Sequence, residues 1–445
     1  MKISNHYTEN SSRMKKSFLS GYYKFIYLLV IAGMIGLIAS CDTTSDTDRV
    51  PEIEGVRYIH PDSAAAKQMD LVGPGEMFVI VGKNLNSTKR AFFNGIEAGF
   101  NPTLVTNTHM VIRVPGDMPF GIMDPGADEM NTIRLVATGG ETVYQFPILP
   151  SPPVITRVNK EFARAGENLR LEGRFLYLVE KVTFPGGITV NDPNAIRTTA
   201  NGSWLEVVVP DDVTDVAGHV NVTTLAGTTI NTHRNMFHDK RGIFINYDDK
   251  NPYWHWAGSA NPSTPNVRDD ASGIQPLDGN YLHVLEQSSG TLGPGSWWNE
   301  NVLAMHVGWQ GLRWPDIPVD TPTSELVLRF EVSTPHAKFN SGAFKMGFGG
   351  LTEPQVQTWY APFYVDGKNN VPLVTNGWET VTIPLTAFNM NEAVPVNYSG
   401  FIRDTFQFFW INPGATDGTY PGVLVEELNI AFDNFRIVQA FEELP

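Results

Sequence analysis

The chain has 445 residues, enough for about two to four domains, and 42% of them are hydrophobic, so each domain can bury a core. Its formal net charge is −15, and no stretch forms a basic stripe. A nucleic-acid partner is therefore excluded, because phosphate binding needs clustered lysine and arginine. A single cysteine rules out an intramolecular disulfide, and frequent glycine and proline favour an all-β protein with many turns.

Residues 1–41 have the pattern of an export signal. Basic residues at Arg13, Lys15, Lys16 and Lys24 precede an apolar run over 25–39. This run is short for a membrane span. The run ends Ile38-Ala39-Ser40-Cys41, which resembles the bacterial lipobox, and this resemblance implies that Cys41 is lipidated and becomes the mature N-terminus. An ordinary signal with a chance cysteine is the alternative.

Residues 42–51 begin with the acidic, polar stretch DTTSDTD and predict a flexible tether. This stretch resembles the signal that sends lipoproteins to the outer face of the outer membrane in polysaccharide-utilising Gram-negative bacteria. The resemblance implies a cell-surface protein that contacts the membrane through its lipid anchor only.

Two similar units follow the tether. The first contains Gly75-Glu76 and, after a strand pattern, Gly82, and the second repeats the spacing with Gly166-Glu167 and Gly173. Each continues with a strand that leads to Phe-x-Gly and a later strand that ends in Val-Pro. Alternating apolar and polar residues in short runs predict immunoglobulin-like sandwiches over 52–150 and 151–240.

The motifs of these two units resemble the IPT/TIG family. Their histidines are scattered and no candidate site is visible, so a spacer role is preferred over a ligand-binding face on one repeat. Stacked sandwiches joined by the stiff junction at 150–153 would hold a distal domain away from the membrane.

From Gly242 the sequence changes character. It opens with a strand ending at Asp248-Asp249, contains GWETVTIPLTAF at 377–388, and closes with a strand at 428–438. These segments resemble carbohydrate-binding β-sandwiches of the jelly-roll type, which predicts a third, larger domain over 242–440. The sequence thus predicts an all-β protein with two immunoglobulin-like sandwiches in tandem before a jelly-roll-type β-sandwich.

With its lipobox, IPT/TIG-like repeats and final sandwich, the chain resembles surface glycan-binding lipoproteins of polysaccharide-utilisation loci. That resemblance implies a polysaccharide or oligosaccharide ligand, no cofactor, and two protein partners, an outer-membrane TonB-dependent transporter and its lipoprotein lid. It does not identify individual ligand-contacting residues, so the candidate site residues come from chemistry alone.

Tryptophan is concentrated in the last domain, where six of the ten lie among loop residues between 253 and 315. An indole ring can stack on the C–H face of a sugar while the hydroxyls stay hydrogen-bonded. The candidate glycan-binding residues are Trp254, Trp256, Trp297, Trp298, Trp309, Trp314 and Trp359. Core packing is the alternative for each, and it is the preferred prediction for Trp378 and Trp410. Candidate hydrogen-bonding neighbours are Asn299, Asn301, Gln310, Arg313 and Gln357.

A structural calcium ion is a weaker hypothesis, because Asp248, Asp249 and Asp433 supply only part of the six to eight oxygen ligands that calcium takes. No metal site is therefore assigned. A glycoside hydrolase or lyase is the main functional alternative, and carboxylates are available for it: Asp269, Asp270, Glu286, Glu300, Asp316 and Asp366. An adhesin that binds protein is another alternative.

The preferred prediction is a non-catalytic lipoprotein of the outer surface. It would hold a neutral β-glucan-type or hemicellulose chain by aromatic stacking in its C-terminal domain, for degradation and uptake. The absence of a cluster of lysine and arginine residues argues against strongly acidic polysaccharides as ligands.

Overall fold

The computed structural model confirms the all-β prediction over the residues that it describes. These are 49–62, 67–229, 233–250, 253–255, 266–287, 292–295, 304–308, 312–349, 356–390, 393–414 and 421–440. The predicted signal and Cys41 lie outside these ranges. Within them, no helix is long and apolar enough to span a bilayer. The chain divides into two compact units, one of 1–118 with 126–149 and one of 119–125 with 150–445.

The first unit contains a two-sheet sandwich. One sheet has the order β1-β2-β5 and the other β4-β3-β6-β7. The strands are β1 (Glu52–Arg57), β2 (Met77–Lys83), β3 (Thr88–Phe93), β4 (Ile96–Ala98), β5 (His109–Arg113), β6 (Thr132–Ala137) and β7 (Gly140–Gln145). Short 3-10 turns lie at Leu85–Ser87, Pro102–Leu104 and Phe120–Ile122, the last of which belongs to the second unit.

The second unit begins with a similar sandwich, whose sheets have the orders β12-β13-β9-β8 and β11-β10-β15-β16, with a separate β14-β17 pair. Its strands are β8 (Val154–Val158), β9 (Asn168–Arg174), β10 (Val179–Thr183), β11 (Thr189–Val190), β12 (Ile196–Thr198), β13 (Trp204–Val208), β14 (Gly218–His219), β15 (Asn221–Thr224), β16 (Gly227–Thr228) and β17 (Met236–Phe237). The 3-10 turns are Pro185–Gly187, Pro193–Ala195 and His233–Asn235.

The repeated Gly-Glu motif has the same local role in both sandwiches. The backbone N–H of Gly75 donates to the carbonyl of Val114 at 3.0 Å, and that of Gly166 donates to Val209 at 2.9 Å. Each valine belongs to the repeated Val-Pro pair. The Gly-Glu and Val-Pro motifs found in the sequence are therefore hydrogen-bonded to each other, just before the second strand of each sandwich begins.

The glycine that ends each repeated motif allows two strands to approach closely. A Cβ atom at Gly82 would lie 1.8 Å from the carbonyl oxygen of Glu52, and one at Gly173 would lie 1.9 Å from that of Val154. Such contacts are far inside van der Waals distance, so at this position the first strand of each sandwich can approach the second only because the second carries glycine. The periodic glycine is a packing requirement.

The C-terminal sandwich packs two large sheets face to face. One has the order β20-β21-β28-β23-β26, with β18 also on β28, and the other has the order β19-β22-β27-β24-β25. The strands are β18 (Ile243–Ile245), β19 (Tyr253–His255), β20 (Asn266–Arg268), β21 (Tyr281–Gln287), β22 (Ala304–Gly308), β23 (Leu326–Ser333), β24 (Ala343–Phe348), β25 (Val356–Tyr360), β26 (Glu379–Pro384), β27 (Thr405–Ile411) and β28 (Glu427–Gln439). Its 3-10 turns are Thr323–Glu325, Leu385–Ala387 and Tyr398–Phe401.

Aromatic rings dominate the core between these two sheets. Phe330, Phe408, Phe432 and Phe435 are almost fully buried and contact one another, with the Phe330 and Phe435 rings stacked at 5.0 Å. Trp410 is fully buried in this core, and its indole N–H donates to the carbonyl of Ser341 at 2.9 Å. The prediction of a core role for Trp410 is confirmed.

A buried cluster of four charges joins the second immunoglobulin-like sandwich to the C-terminal one. Glu161 belongs to the former, and Arg329, Glu331 and Arg436 belong to the latter. All four are at most 3% exposed. Arg436 Nη2 lies 2.6 Å from Glu161 Oε2 and 2.8 Å from Glu331 Oε1, and Arg329 Nη1 donates to Glu161 Oε1. The two carboxylates balance the two guanidinium groups, and Glu161, from the other sandwich, supplies one of the two carboxylates.

Further bonds tie residues 159–164 to the C-terminal sandwich. Thr380 donates its backbone N–H to Asn159 at 2.7 Å, and its hydroxyl accepts the backbone N–H of Glu161 at 2.8 Å. Arg164 Nη1 donates to the side chain of Gln275 at 3.1 Å. The backbone carbonyl of Gln275 accepts the indole N–H of Trp378 at 2.7 Å. Trp378 is 5% exposed, so its predicted core role is also confirmed.

Candidate functional site

The candidate site is the face of the five-stranded sheet β19-β22-β27-β24-β25 that points away from the core. Side chains alternate between the two faces of a strand. Phe344, Met346 and Phe348 of β24 belong to the core, so the residues between them, including Lys345, lie on the outward face. The strand register then assigns the neighbouring residues to this face.

Two cross-strand rows define the outward face. In the first, Trp359 pairs with Lys345, Lys345 with Phe409, and Phe409 with Ala304. The second row, two residues along, runs through Gln357, Gly347, Gln407, His306 and Trp254. The backbone of Trp254 thus lies in the same row as Gln357, at the opposite edge of the sheet.

Among the described side chains of this face, exposure is greatest at the β25 edge. Gln407 and Phe409, on the central strand, are 2% and 8% exposed, whereas Trp359 is 46% exposed. Lys345 and Gln357 are half-buried. An indole ring, a carboxamide and an ammonium group therefore lie together at an accessible edge, where a ring could stack on a sugar and the polar groups could bond its hydroxyls.

The backbone around Trp359 is firmly held. Gln357 exchanges two backbone hydrogen bonds with Asn389, at 2.9 and 3.0 Å, on the outer edge of β25. Tyr360 turns to the opposite face and packs beside Phe344 and Phe330, and burial raises the pKa of its hydroxyl to about 12. The exposed indole of Trp359 is therefore carried by a strand fixed on both sides, as a preformed binding surface requires.

Trp314 has a different environment. Its ring packs against the core, with centroids 5.1 Å from Phe244 and 5.4 Å from Phe348. Its indole N–H donates to the carbonyl of Arg403 at 2.8 Å. The structure gives Trp314 a packing role, and stacking on a glycan through its partly exposed remainder stays a prediction.

The other predicted stacking residues lie outside the described residues: Trp256, Trp297, Trp298 and Trp309. Of Trp254 the structure describes the backbone in β19. Candidate site residues that the sequence did not single out are Lys345 and Gln407. The signal was present, since both are polar residues at alternate positions of otherwise apolar strands.

The three carboxylates considered for calcium each have local partners. Asp248 accepts a hydrogen bond from the backbone N–H of Asn280 at 2.6 Å, and Asp249 accepts one from the side-chain amide of Asn246 at 2.7 Å. Buried Asp433 accepts one from the backbone N–H of Asn434 at 2.7 Å. Burial raises the pKa of Asp433 well above its usual range. Among the described residues, no group of three His, Cys, Asp or Glu could hold a metal ion.

Residues 237–439 match the family model of the surface glycan-binding protein B xyloglucan-binding domain. An IPT/TIG domain-containing protein of Bacteroides ovatus is 28% identical over 170 residues, which cover 37% of this chain and 34% of that protein. The match thus spans about a third of the length of that curated relative.

A solved structure, surface glycan-binding protein PbSGBP-B from Prevotella bryantii, is similar in fold. The TM-score is 0.67 at 18% identity, and the alignment covers 87% of this chain and 98% of that one. These matches confirm the predicted resemblance to surface glycan-binding proteins with IPT/TIG-type repeats. The matched family and structure are those of glycan-binding proteins rather than enzymes, which agrees with the prediction of a non-catalytic protein.

Proposed function

We propose that this protein, whose residues 237–439 match a xyloglucan-binding domain family, holds a neutral β-glucan chain at the cell surface without cleaving it. Xyloglucan and mixed-linkage glucan are the expected ligands. The observation that carries the proposal is the exposed indole of Trp359 on the outward face of the five-stranded sheet, in the domain that matches this family.

The chemistry of this face suits a neutral sugar. A stacked ring contributes roughly 1–3 kcal/mol by analogy with base stacking. A single stack at Trp359 does not by itself offset the several kcal/mol that association costs, so hydrogen bonds from neighbouring groups such as Lys345 and Gln357 have to contribute to the affinity as well, and binding at one site is expected to be weak. Retention of a long polymer then depends on many such sites acting together, which weak individual binding allows.

The location and partners belong to the same proposal. Lipid on Cys41 would anchor the protein in the outer membrane, facing outward, and several acyl chains on one residue give stable anchoring. A glycan held there would pass to a TonB-dependent transporter and its lipoprotein lid. Metabolic labelling with a fatty acid, lost in Cys41→Ala, and protease accessibility on whole cells test the anchor. Co-purification of the transporter tests the partnership.

Binding is tested on the full mature chain by affinity gel electrophoresis and calorimetry with xyloglucan, mixed-linkage glucan and mannan. We expect retardation by at least one β-glucan. Trp359→Ala should weaken binding by about 5- to 100-fold, the equivalent of one lost stack.

The matched control is Trp204→Ala. Trp204 is a half-buried indole in the second immunoglobulin-like sandwich, where Arg170 lies 4.6 Å above its ring. This control should bind like the wild type. If the wild-type protein is not retarded by any of the polysaccharides, or if both variants lose the same affinity, the proposal is wrong. Release of reducing sugar from the polymer would instead favour a glycoside hydrolase, and binding to a host protein without glycan binding would favour an adhesin.

A further inference from the structure

The five-stranded sheet that carries Trp359 contains no acidic residue in its strands. Neither Asp nor Glu occurs in β19, β22, β24, β25 or β27. The strands of the opposite sheet of the same sandwich contain several: Glu286, Glu331, Glu379, Glu427 and Asp433. The whole chain has 47 acidic and 32 basic residues and a formal net charge of −15. Carboxylates are therefore absent from one sheet of a strongly acidic protein, and this sheet bears the candidate site.

Lys345 supplies the one lysine or arginine in these five strands. Its half-buried side chain lies on the outward face, between Trp359 and Phe409 in the same cross-strand row. The Cβ atoms of directly opposite residues in an antiparallel pair are only ~5 Å apart. A sugar that stacks on Trp359 therefore brings its substituents within reach of the Lys345 ammonium group.

The ammonium group of Lys345 has no hydrogen-bond or ion-pair partner among the described residues. Two other lysines of the second unit each have an acidic partner, since Lys240 Nζ lies 2.6 Å from Asp278 Oδ2 and Lys338 Nζ lies 3.1 Å from Glu426 Oε1. An anion that approaches Lys345 has no carboxylate to displace. The positive charge on this face is thus available to a ligand.

The chemistry of the ammonium group favours a carboxylate. It donates three hydrogen bonds and accepts none, whereas a carboxylate accepts only, so the two groups complement each other and form a strong, charge-assisted bond. Gln357 lies diagonally across the strands from Lys345 and offers an amide donor for the second carboxylate oxygen. The acidic residues elsewhere oppose an anion only weakly, because charges more than about 8 Å away are screened at physiological salt.

We propose that Lys345 is a specificity-determining residue that allows this face to bind a glycan with an acidic substituent. A neutral ring would stack on Trp359 while the carboxylate of a uronic acid unit pairs with the Lys345 ammonium group. The inference rests on the proposed function and extends its ligands to neutral chains with isolated uronic acid units. One unpaired cation suits one carboxylate, so a polymer with a charge on every sugar is not favoured.

The test is calorimetry on the full mature chain at pH 8, where histidine is neutral. The ligands are a neutral mixed-linkage gluco-oligosaccharide, derivatives in which one glucose at each position in turn is oxidised at C6 to glucuronic acid, and the amides of these acids. At about 50 mM salt, the wild type should bind at least one of the acids about three- to thirtyfold more tightly than the neutral parent. The matching amide should bind like the parent, and high salt should reduce the preference.

Substitutions assign the preference to one side chain. Lys345→Met and Lys345→Gln should both abolish it, whereas Lys345→Arg keeps the charge and should retain it. Lys181→Met is the matched control, because Lys181 is an exposed lysine in β10 of the other sandwich and its loss changes the net charge equally. This control should keep the preference. Thermal unfolding of each variant shows that it is folded.

The outcomes separate the two proposals. If the wild type binds the neutral oligosaccharide and no acid binds more tightly, the specificity role is refuted and the proposed function stands. The same conclusion follows if the preference survives in Lys345→Met and Lys345→Gln, or if Lys181→Met loses it too, since it would then reflect net charge. If the wild type binds none of these ligands or polymers, the proposed function fails and the role of Lys345 fails with it.

Discussion

Replacing Glu161 by alanine tests whether the two sandwiches of the second unit are held together by charge. Glu161 accepts hydrogen bonds from Arg329 and Arg436, and all three side chains are at most 3% exposed. Burial lowers the pKa of Arg329, and Glu161 is the largest influence that raises it. Without Glu161, the two buried guanidinium groups lose the carboxylate that both of them contact, and keep Glu331 and the more distant Asp239.

The magnitude follows from this arrangement. Removing one partner of a buried ion pair costs about 3–5 kcal/mol, because the other charge stays buried without compensation. Arg436 keeps Glu331 at 2.8 Å, so the lower end applies, ~3 kcal/mol. At about 2–4 °C per kcal/mol for a domain of this size, Tm of the second unit should fall by about 6–12 °C.

The assay is calorimetric or urea unfolding of the full mature chain. Arg329→Met in the Glu161→Ala background removes one uncompensated charge and should recover part of the loss, since apolar replacement of buried ion pairs is often neutral or better. Glu97→Gln is the matched control, because Glu97 pairs with Arg90 at 2.8 Å on the surface of the first unit, and its Tm should not change measurably. A fall in Tm below about 2 °C for Glu161→Ala, or no recovery in the double variant, would refute the reasoning.

Two further predictions concern pH and the unassigned tryptophans. Burial lowers the pKa of His238 and of His283, so folding favours their neutral forms, and stability should be fully present above pH ~6.5 and decline as the pH falls below it. Thermal unfolding between about pH 7.5 and 5 checks this, and a His238→Asn/His283→Asn variant should show a flatter profile. Trp297→Ala/Trp298→Ala should abolish retardation by the polysaccharide that binds the wild type, whereas unchanged mobility would remove both residues from the predicted site.

Local patterns predicted much of the fold because each depends on neighbours in sequence. The repeated glycines at 82 and 173 each mark one close strand contact, and the contact is the same in both sandwiches. Alternation in AFKMGF predicts β24 and also which of its residues point outward. The register of the strands and the exposure of individual side chains could not be predicted from such local patterns, because both depend on which strands become neighbours in the fold.

Long-range contacts account for what the sequence could not predict. Glu161 lies in a short polar segment, where a charge is ordinarily solvated. Its burial depends on Arg329 and Arg436, which are 168 and 275 residues away. Trp314 and Trp359 show the same limit, since both flank proline-containing loops, yet one packs against Phe244 and the other is 46% exposed.

Outward-facing aromatic rings differ in whether a guanidinium group covers them, and this difference favours the C-terminal sandwich over the repeats as the binding domain. In the first repeat, Arg90 and Arg134 lie over the ring of Phe92, at 4.7 and 4.0 Å, and Phe92 is only 7% exposed. In the second, Arg170 lies over Trp204. Each ring is thus already occupied by a guanidinium group, an attraction that a sugar would have to displace. Among the described tryptophans, Trp359 alone is exposed and has no guanidinium group over its ring, which favours the last domain as the binding surface.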